Sequence, residues 1–196
     1  MNLQIVGVGG QGILLSSKVI GGAALDKGLD VWMSEVHGMA QRGGVVVTTV
    51  KIGEIVYSPL IGDGEAHAIL GFEPVETYRA IKRAAKDTWI VTNIAPIVPF
   101  TVSSGKQKYP KPDEIFQSIE KVSDRLIKVD AKKLAQEAGA AIAQNIVMLG
   151  ALTATDALPF SREEMENSIR KNVPEKFVEL NLRAFDLGFR SAKEQM

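Results

Sequence analysis

Three glycines near the start of the chain, Gly7, Gly9 and Gly12, spell G-x-G-x-x-G between the apolar run "LQIVGV" (3–8) and a helical pattern from about Gly12 to Lys27. A strand that feeds a helix through such a turn aims backbone N–H groups and the positive end of the helix dipole at one point, which favours an anion. The same spacing is the fingerprint of dinucleotide-binding domains, where an acid about twenty residues further on holds a ribose. Glu35 stands near that place. Two readings stay open from the spacing alone: an anion contact, or a tight strand-to-helix turn whose glycines serve only packing.

Other residues could do chemistry. In "HGMAQRGG" (37–44), Arg42 ahead of Gly43 and Gly44 suits a carboxylate or phosphate held by a loop guanidinium. His37 has the chemistry of a proton shuttle, yet no base–nucleophile pair is visible beside it, and a lone histidine is more often structural. Gly62-Asp63-Gly64 with the later Asn93 imitates a thiamine diphosphate signature, in which oxygen ligands hold a hard cation. Gly-Asp-Gly also makes a plain turn, and the strand-like run that follows it is the wrong context. No Ser-His-Asp ordering, paired catalytic carboxylates or metal-ligand cluster stands out, and Glu163, Glu164 and Glu166 read as a solvated helical stretch. With no cysteine and two histidines, the chain has no thiolate for an iron–sulfur cluster and little for a metal. It does not read as a self-sufficient enzyme.

The elements that must position these residues follow a βα rhythm. After the first strand and helix, with Gly28 as its stop, "DVWMS" (30–34) reads as a strand and 35–44 as a polar loop. Two β-branched runs, 45–52 and 55–60, split by Gly53-Glu54, predict a hairpin where a dinucleotide fold needs a crossover helix. Then come a strand at 66–72, a helix at 73–85 opened by Pro74, a strand at 88–93, a long proline-bearing loop at 94–112, a helix at 113–122 and a strand at 125–129. Asp130 is placed to cap the next helix, and 138–154 reads as a buried helix too polar and short for a membrane span. Ser161 and Glu164 form a capping box, and Pro174 opens a last helix whose apolar face is wide.

The expectation is a single domain over 1–196, a three-layer α/β/α fold with a mainly parallel central sheet, a β-hairpin insertion and a helical C-terminal third. Lys+Arg and Asp+Glu are 23 each, so no net field draws in nucleic acid or an acidic membrane. No secretory signal is visible, and the expected location is the cytoplasm.

Taken together, "VGVGGQGILLSSKVIGGAAL", "SEVHGMAQRGG", "VYSPLI", "GFEPVETYRA" and "SSGKQKYP" resemble the small, gamma-type subunits of 2-oxoacid:ferredoxin oxidoreductases. The form "EVHGMAQRGG" is most similar to the indolepyruvate branch, whose small subunit is called beta. The resemblance implies a subunit of a cytoplasmic complex that oxidatively decarboxylates an arylpyruvate to an acyl-coenzyme A and passes electrons to ferredoxin. It implies a large partner subunit holding thiamine diphosphate, Mg and 4Fe-4S clusters, with coenzyme A as co-substrate and no catalytic residue on this chain. It places Gly7, Gly9, Gly10, Gln11, Gly12, Arg42, Gly43 and Gly44 near the functional region, as anion or coenzyme A contacts or as shapers of the subunit contact. The alternatives are another 2-oxoacid (pyruvate, 2-oxoglutarate or a branched-chain acid), a non-catalytic assembly module, or an NAD(P)-binding reductase.

Overall fold

Residues 3–8 of β1 (Asn2–Val8) are all buried, as a strand covered on both faces must be. The computed structural model describes residues 1–38 and 43–196, with only the backbone of Phe100 and Thr101. Helix α1 (Ile13–Asp26) follows and ends before Gly28, whose φ of 74° lies in the left-handed region that stops a helix. Then come β2 (Asp30–His37), β3 (Val45–Gly53), β4 (Ala66–Gly71), α2 (Pro74–Ala80), β5 (Ala84–Asn93), α3 (Phe100–Ser103), α4 (Pro112–Glu120) and β6 (Arg125–Val129). The C-terminal third is α5 (Ala131–Ala138), α6 (Gln144–Ala154), α7 (Arg162–Asn172) and α8 (Val178–Lys193).

Among the described residues the strands form one six-stranded sheet in the order β2-β3-β1-β4-β5-β6. β1, β4, β5 and β6 are parallel, whereas β3 runs antiparallel to both β1 and β2. One face of the sheet packs on α1, α6 and α8 around Leu3, Ile5, Val50, Leu70 and Val91, with α5 and α7 packed against those helices. The other packs on α2 and α4 around Val6, Ile69, Ile90, Ile115 and Ile119. That is the expected three-layer α/β/α arrangement with a mainly parallel sheet.

The hairpin is there, but not where its sequence pattern put it. It is formed by β2 and β3, in register from Asp30↔Gly53 to His37↔Val46. Residues 55–60 form no strand: Pro59 cannot donate to a ladder, and Ile55, Tyr57 and Leu60 point to solvent. The predicted loop at 35–44 begins later than expected, because Glu35, Val36 and His37 continue the β2 ladder. All three are exposed, as residues at the end of an edge strand can be.

The predicted capping residues hold. The Asp130 side chain accepts from the Lys133 N–H, and Ser161 and Glu164 bond reciprocally. The predicted helix at 138–154 is shorter, since Gly139 ends α5 and α6 starts at Gln144. Asn145 to Ala154 are all buried, and each fully buried Ile, Leu, Val or Met there contributes about 1.5–3 kcal/mol of transfer free energy. Helices α6 and α8 meet through Gly150 and Gly188, so closely that neither site has room for a methyl group. No helix among the described residues is long and apolar enough to cross a membrane.

Candidate functional site

The carboxyl ends of β1, β4 and β5 converge on the glycine loop. In an open α/β sheet this is the rim where ligands sit. Gln11 sews the rim together: its Oε1 accepts from the Val8 N–H at 2.7 Å, and its Nε2 donates to the Phe72 carbonyl at 2.8 Å. Asn93 Nδ2 donates to the same carbonyl at 3.2 Å, while its Oδ1 accepts from the N–H groups of Ala95 and Ala131 at 3.3 Å each. Gly7 lies on β1 under this clamp, where a Cβ would stand 2.6 Å from Gln11 Oε1. Gly9 and Gly10 are exposed at the tip.

The Gly9 N–H donates to the Gly44 carbonyl at 2.9 Å. The two glycine segments singled out in the sequence are thus brought together, through residues 35 positions apart. The antiparallel return of β3 alongside β1 does this, with Gly7 opposite Val46 and Val8 opposite Val45. Gly43 lies exposed beside it. Arg42 lies outside the described residues and is fixed only as the covalent neighbour of Gly43. His37 is at the same end of the sheet, in register with Val46, and its Nε2 is 3.3 Å from Glu35 Oε2.

Gly12 opens α1 with φ +78°, a conformation L side chains rarely adopt, and without a side-chain cap among the described residues. A Cβ there would also strike Asn145, 2.8 Å from its Cγ. Asn145 sits in the first turn of α6, which likewise starts without a side-chain cap. Two helix N-termini therefore meet at Gly12, each without a side-chain cap among the described residues, and their dipoles give the rim a positive polarisation. Sequence reasoning missed α6's share; the only signal was the polar pair Gln144-Asn145 inside an apolar run.

A second cluster stands on the same rim. Glu73, 2% exposed, caps α2 by accepting from the Glu76 N–H at 3.0 Å. Its other oxygen accepts from the Ile97 N–H at 3.3 Å and from the Tyr109 hydroxyl. One carboxylate therefore pins both ends of the proline-bearing segment. Burial, together with donation to Glu73, raises the Tyr109 pKa above its ordinary value. Burial also raises that of Glu76, against the pull of Arg79 at 2.6 Å. The signal for Glu73 was an acid directly before a helix-opening proline. The rim offers polarised donors and a rigid frame, and among the described residues it pairs no nucleophile with a base.

The model of the family described as pyruvate ferredoxin/flavodoxin oxidoreductase matches residues 2–191. The chain belongs to that family. It is 45% identical to the indolepyruvate oxidoreductase subunit IorB of Pyrococcus horikoshii, over 100% of this chain and 97% of that protein. Its fold matches the gamma subunit of a keto/oxoacid ferredoxin oxidoreductase from Geobacter sulfurreducens, with a TM-score of 0.72, 24% identity and 98% of each chain covered. It also matches a 2-oxoglutarate:ferredoxin oxidoreductase from Magnetococcus marinus, with a TM-score of 0.71 and 20% identity, over 99% of this chain and 31% of that longer one.

In this pyruvate ferredoxin/flavodoxin oxidoreductase fold the dinucleotide reading of the loop loses its ground. A dinucleotide fold sets a parallel strand, with its ribose-binding acid, beside β1. Here antiparallel β3 intervenes, and Glu35 sits on edge strand β2, two strand spacings or roughly 10 Å away. The thiamine-like triplet separates too. Asp63 lies ahead of β4 and pairs with Arg83 at 2.5 Å, whereas Asn93 ends β5 at the opposite rim.

Proposed function

We propose that this chain is the small subunit of a cytoplasmic, coenzyme A-dependent arylpyruvate:ferredoxin oxidoreductase, with indolepyruvate among its substrates. The observation that carries this is the full-length similarity to an indolepyruvate oxidoreductase subunit. The chain acts as one domain within a complex. A larger partner subunit holds thiamine diphosphate, Mg and 4Fe-4S clusters, and ferredoxin takes the electrons. Thiamine diphosphate supplies carbanion stabilisation there, and the clusters carry single electrons. The absence of cysteine from this chain supports that division of labour.

This chain's own contribution is positioning. Gly9, Gly10, Gln11, Gly12, Gly43 and Gly44 shape a rim whose helix N-termini attract an anionic group, and Arg42 adds a guanidinium from the adjoining segment. The anion is a phosphate of coenzyme A. The Gly9–Gly44 hydrogen bond supports this, because it places the two segments side by side.

Co-expression with the cluster-bearing subunit and assay with indolepyruvate, coenzyme A and ferredoxin test the reading. Turnover should require this chain, and an unchanged rate in its absence would refute it. Arg42→Ala should leave the chain folded and lower turnover at limiting coenzyme A. Unaltered kinetics for all three substrates would remove Arg42 from the site.

A further inference from the structure

Among the described residues, no helix covers one face of the sheet at its β2–β3 end. Along β3, burial alternates strictly: Val46, Thr48, Val50 and Ile52 are buried on the α1 side, while Val45, Val47, Thr49 and Lys51 on the other side are only half-covered. The register continues that second side outward to β2, pairing Lys51 with Trp32 and Val47 with Val36. Trp32 is 49% exposed and Val36 64%. Residues 54–61 border this face, and Lys51 Nζ donates to the Leu60 carbonyl at 3.1 Å. They add Tyr57, 88% exposed, and Leu60, 73% exposed. Contiguous apolar exposure of this kind marks an interaction surface.

A polar row runs through the middle of this face. Ser34 pairs with Thr49, and Thr49 with Gln4. Gln4 is 7% exposed, and its Oε1 is buried without a hydrogen-bond partner among the described residues. An unsatisfied buried acceptor costs stability that a donor from a covering chain recovers.

We propose that this open β2–β3 face, with the segment 54–61, is the seat of the larger partner subunit. This rests on the reading of the chain as one subunit of a complex. The occupant follows from two observations. In the Magnetococcus marinus protein the same fold is 31% of one longer chain, so further polypeptide is joined to it there. The face also reaches the rim, since Val45 on this side of β3 lies opposite Val8, next to the Gly9–Gly44 hydrogen bond. A partner seated here brings its redox groups to the glycine loop, which a second copy of this chain cannot do.

The test uses the full chain and the cysteine-rich larger subunit, mixed and followed by calorimetric titration and by Trp fluorescence. Wild type should bind, with a blue shift lost in Trp32→Phe. Trp32→Glu and Tyr57→Asp, both at exposed sites, should keep the wild-type melting temperature and weaken binding tenfold or more. Gln4→Leu should leave the isolated chain at least as stable and still weaken the complex. Wild-type affinity in both charged variants would overturn the proposal while leaving the subunit reading intact. So would a homodimer that the variants abolish without touching binding of the larger subunit. No binding by wild type would overturn the subunit reading itself.

Discussion

Replacing Gly188 by alanine separates two opposing effects. Within a helix, alanine is favoured over glycine by about 1 kcal/mol. At Gly188, however, the new methyl would lie 1.9 Å from the Val147 carbonyl oxygen, and at the facing Gly150 it would lie 2.0 Å from the Phe185 carbonyl oxygen. Those obstacles are backbone atoms of packed helices and cannot rotate away. Reaching ordinary contact at about 3.5 Å requires α8 to retreat by roughly 1.5 Å. Overpacking of that kind costs about 1–3 kcal/mol, and the retreat also loosens Phe185 and the fully buried residues of α6. At the middle of that range the clash outweighs propensity, and a net loss of about 1 kcal/mol follows. For a chain of this size that lowers the melting temperature by roughly 2–4 °C. Gly21→Ala is the matched control: it too is a helix-interior glycine, but its nearest obstacle is Met33 Cε at 3.3 Å, the end of a flexible side chain. It should hold or raise the melting temperature. Thermal unfolding of the isolated variants by circular dichroism decides; Gly188→Ala melting at or above wild type would refute the close-packing argument.

Gln11→Ala strands the Val8 N–H, leaves the Phe72 carbonyl to Asn93 alone, and should cost about 1–3 kcal/mol in chemical denaturation; an unmoved midpoint would deny Gln11 its clamping role. Tyr109→Phe removes a donor from the buried Glu73 carboxylate, so amide exchange at Ile97 should quicken. Equal protection would show that Glu73 holds the segment without Tyr109. Ser161→Ala should cost about 1 kcal/mol at neutral pH. Its partner Glu164 has a lowered pKa, chiefly because the Ser161 N–H bonds to its carboxylate. A depressed folded-state pKa means stability present above the unfolded value and lost as pH falls through the folded one. The stability gap between wild type and Glu164→Ala should therefore narrow below the usual carboxylate range; a constant gap would contradict the assignment.

What the sequence made legible was local. β1 and α1 announced themselves through an apolar run, a glycine turn and a helical stripe, and Asp130 and Ser161 declared their helices by side-chain chemistry. β2 and β3 were harder. Glu35, Val36 and His37 belong to an edge strand, so burial imposes no alternation on them, and 55–60 imitated a strand whose apolar residues face outward. The pairing of β3 with both β1 and β2 is a tertiary fact without a local signature. The site shows the same division. Gly7, Gly9 and Gly12 were visible by spacing, whereas the Gly9–Gly44 contact, the α6 N-terminus at Asn145 and the Glu73 anchor all depend on strand order. Arg42, the one charged candidate, lies outside the described residues.

The loop's own bonding also limits what it can hold alone. Val8 has given its N–H to Gln11 and Gly9 has given its N–H to Gly44. What remains is chiefly the uncapped first turns of α1 and α6. An anion at an exposed helix N-terminus gains about 0.3–1 kcal/mol from each dipole. A charge-assisted hydrogen bond from Arg42 would add about 1.5–3 kcal/mol. The sum, about 2–5 kcal/mol, brackets the 4.1 kcal/mol that corresponds to a millimolar dissociation constant. The isolated chain should therefore bind coenzyme A no tighter than about 0.2 mM by calorimetry. On the proposed seating of the partner, which would exclude water from the rim and add contacts, the assembled complex should bind it more tightly than the isolated chain. Micromolar binding of coenzyme A to the isolated chain would overturn this, since the polarised donors on this rim are too few to hold it without the partner.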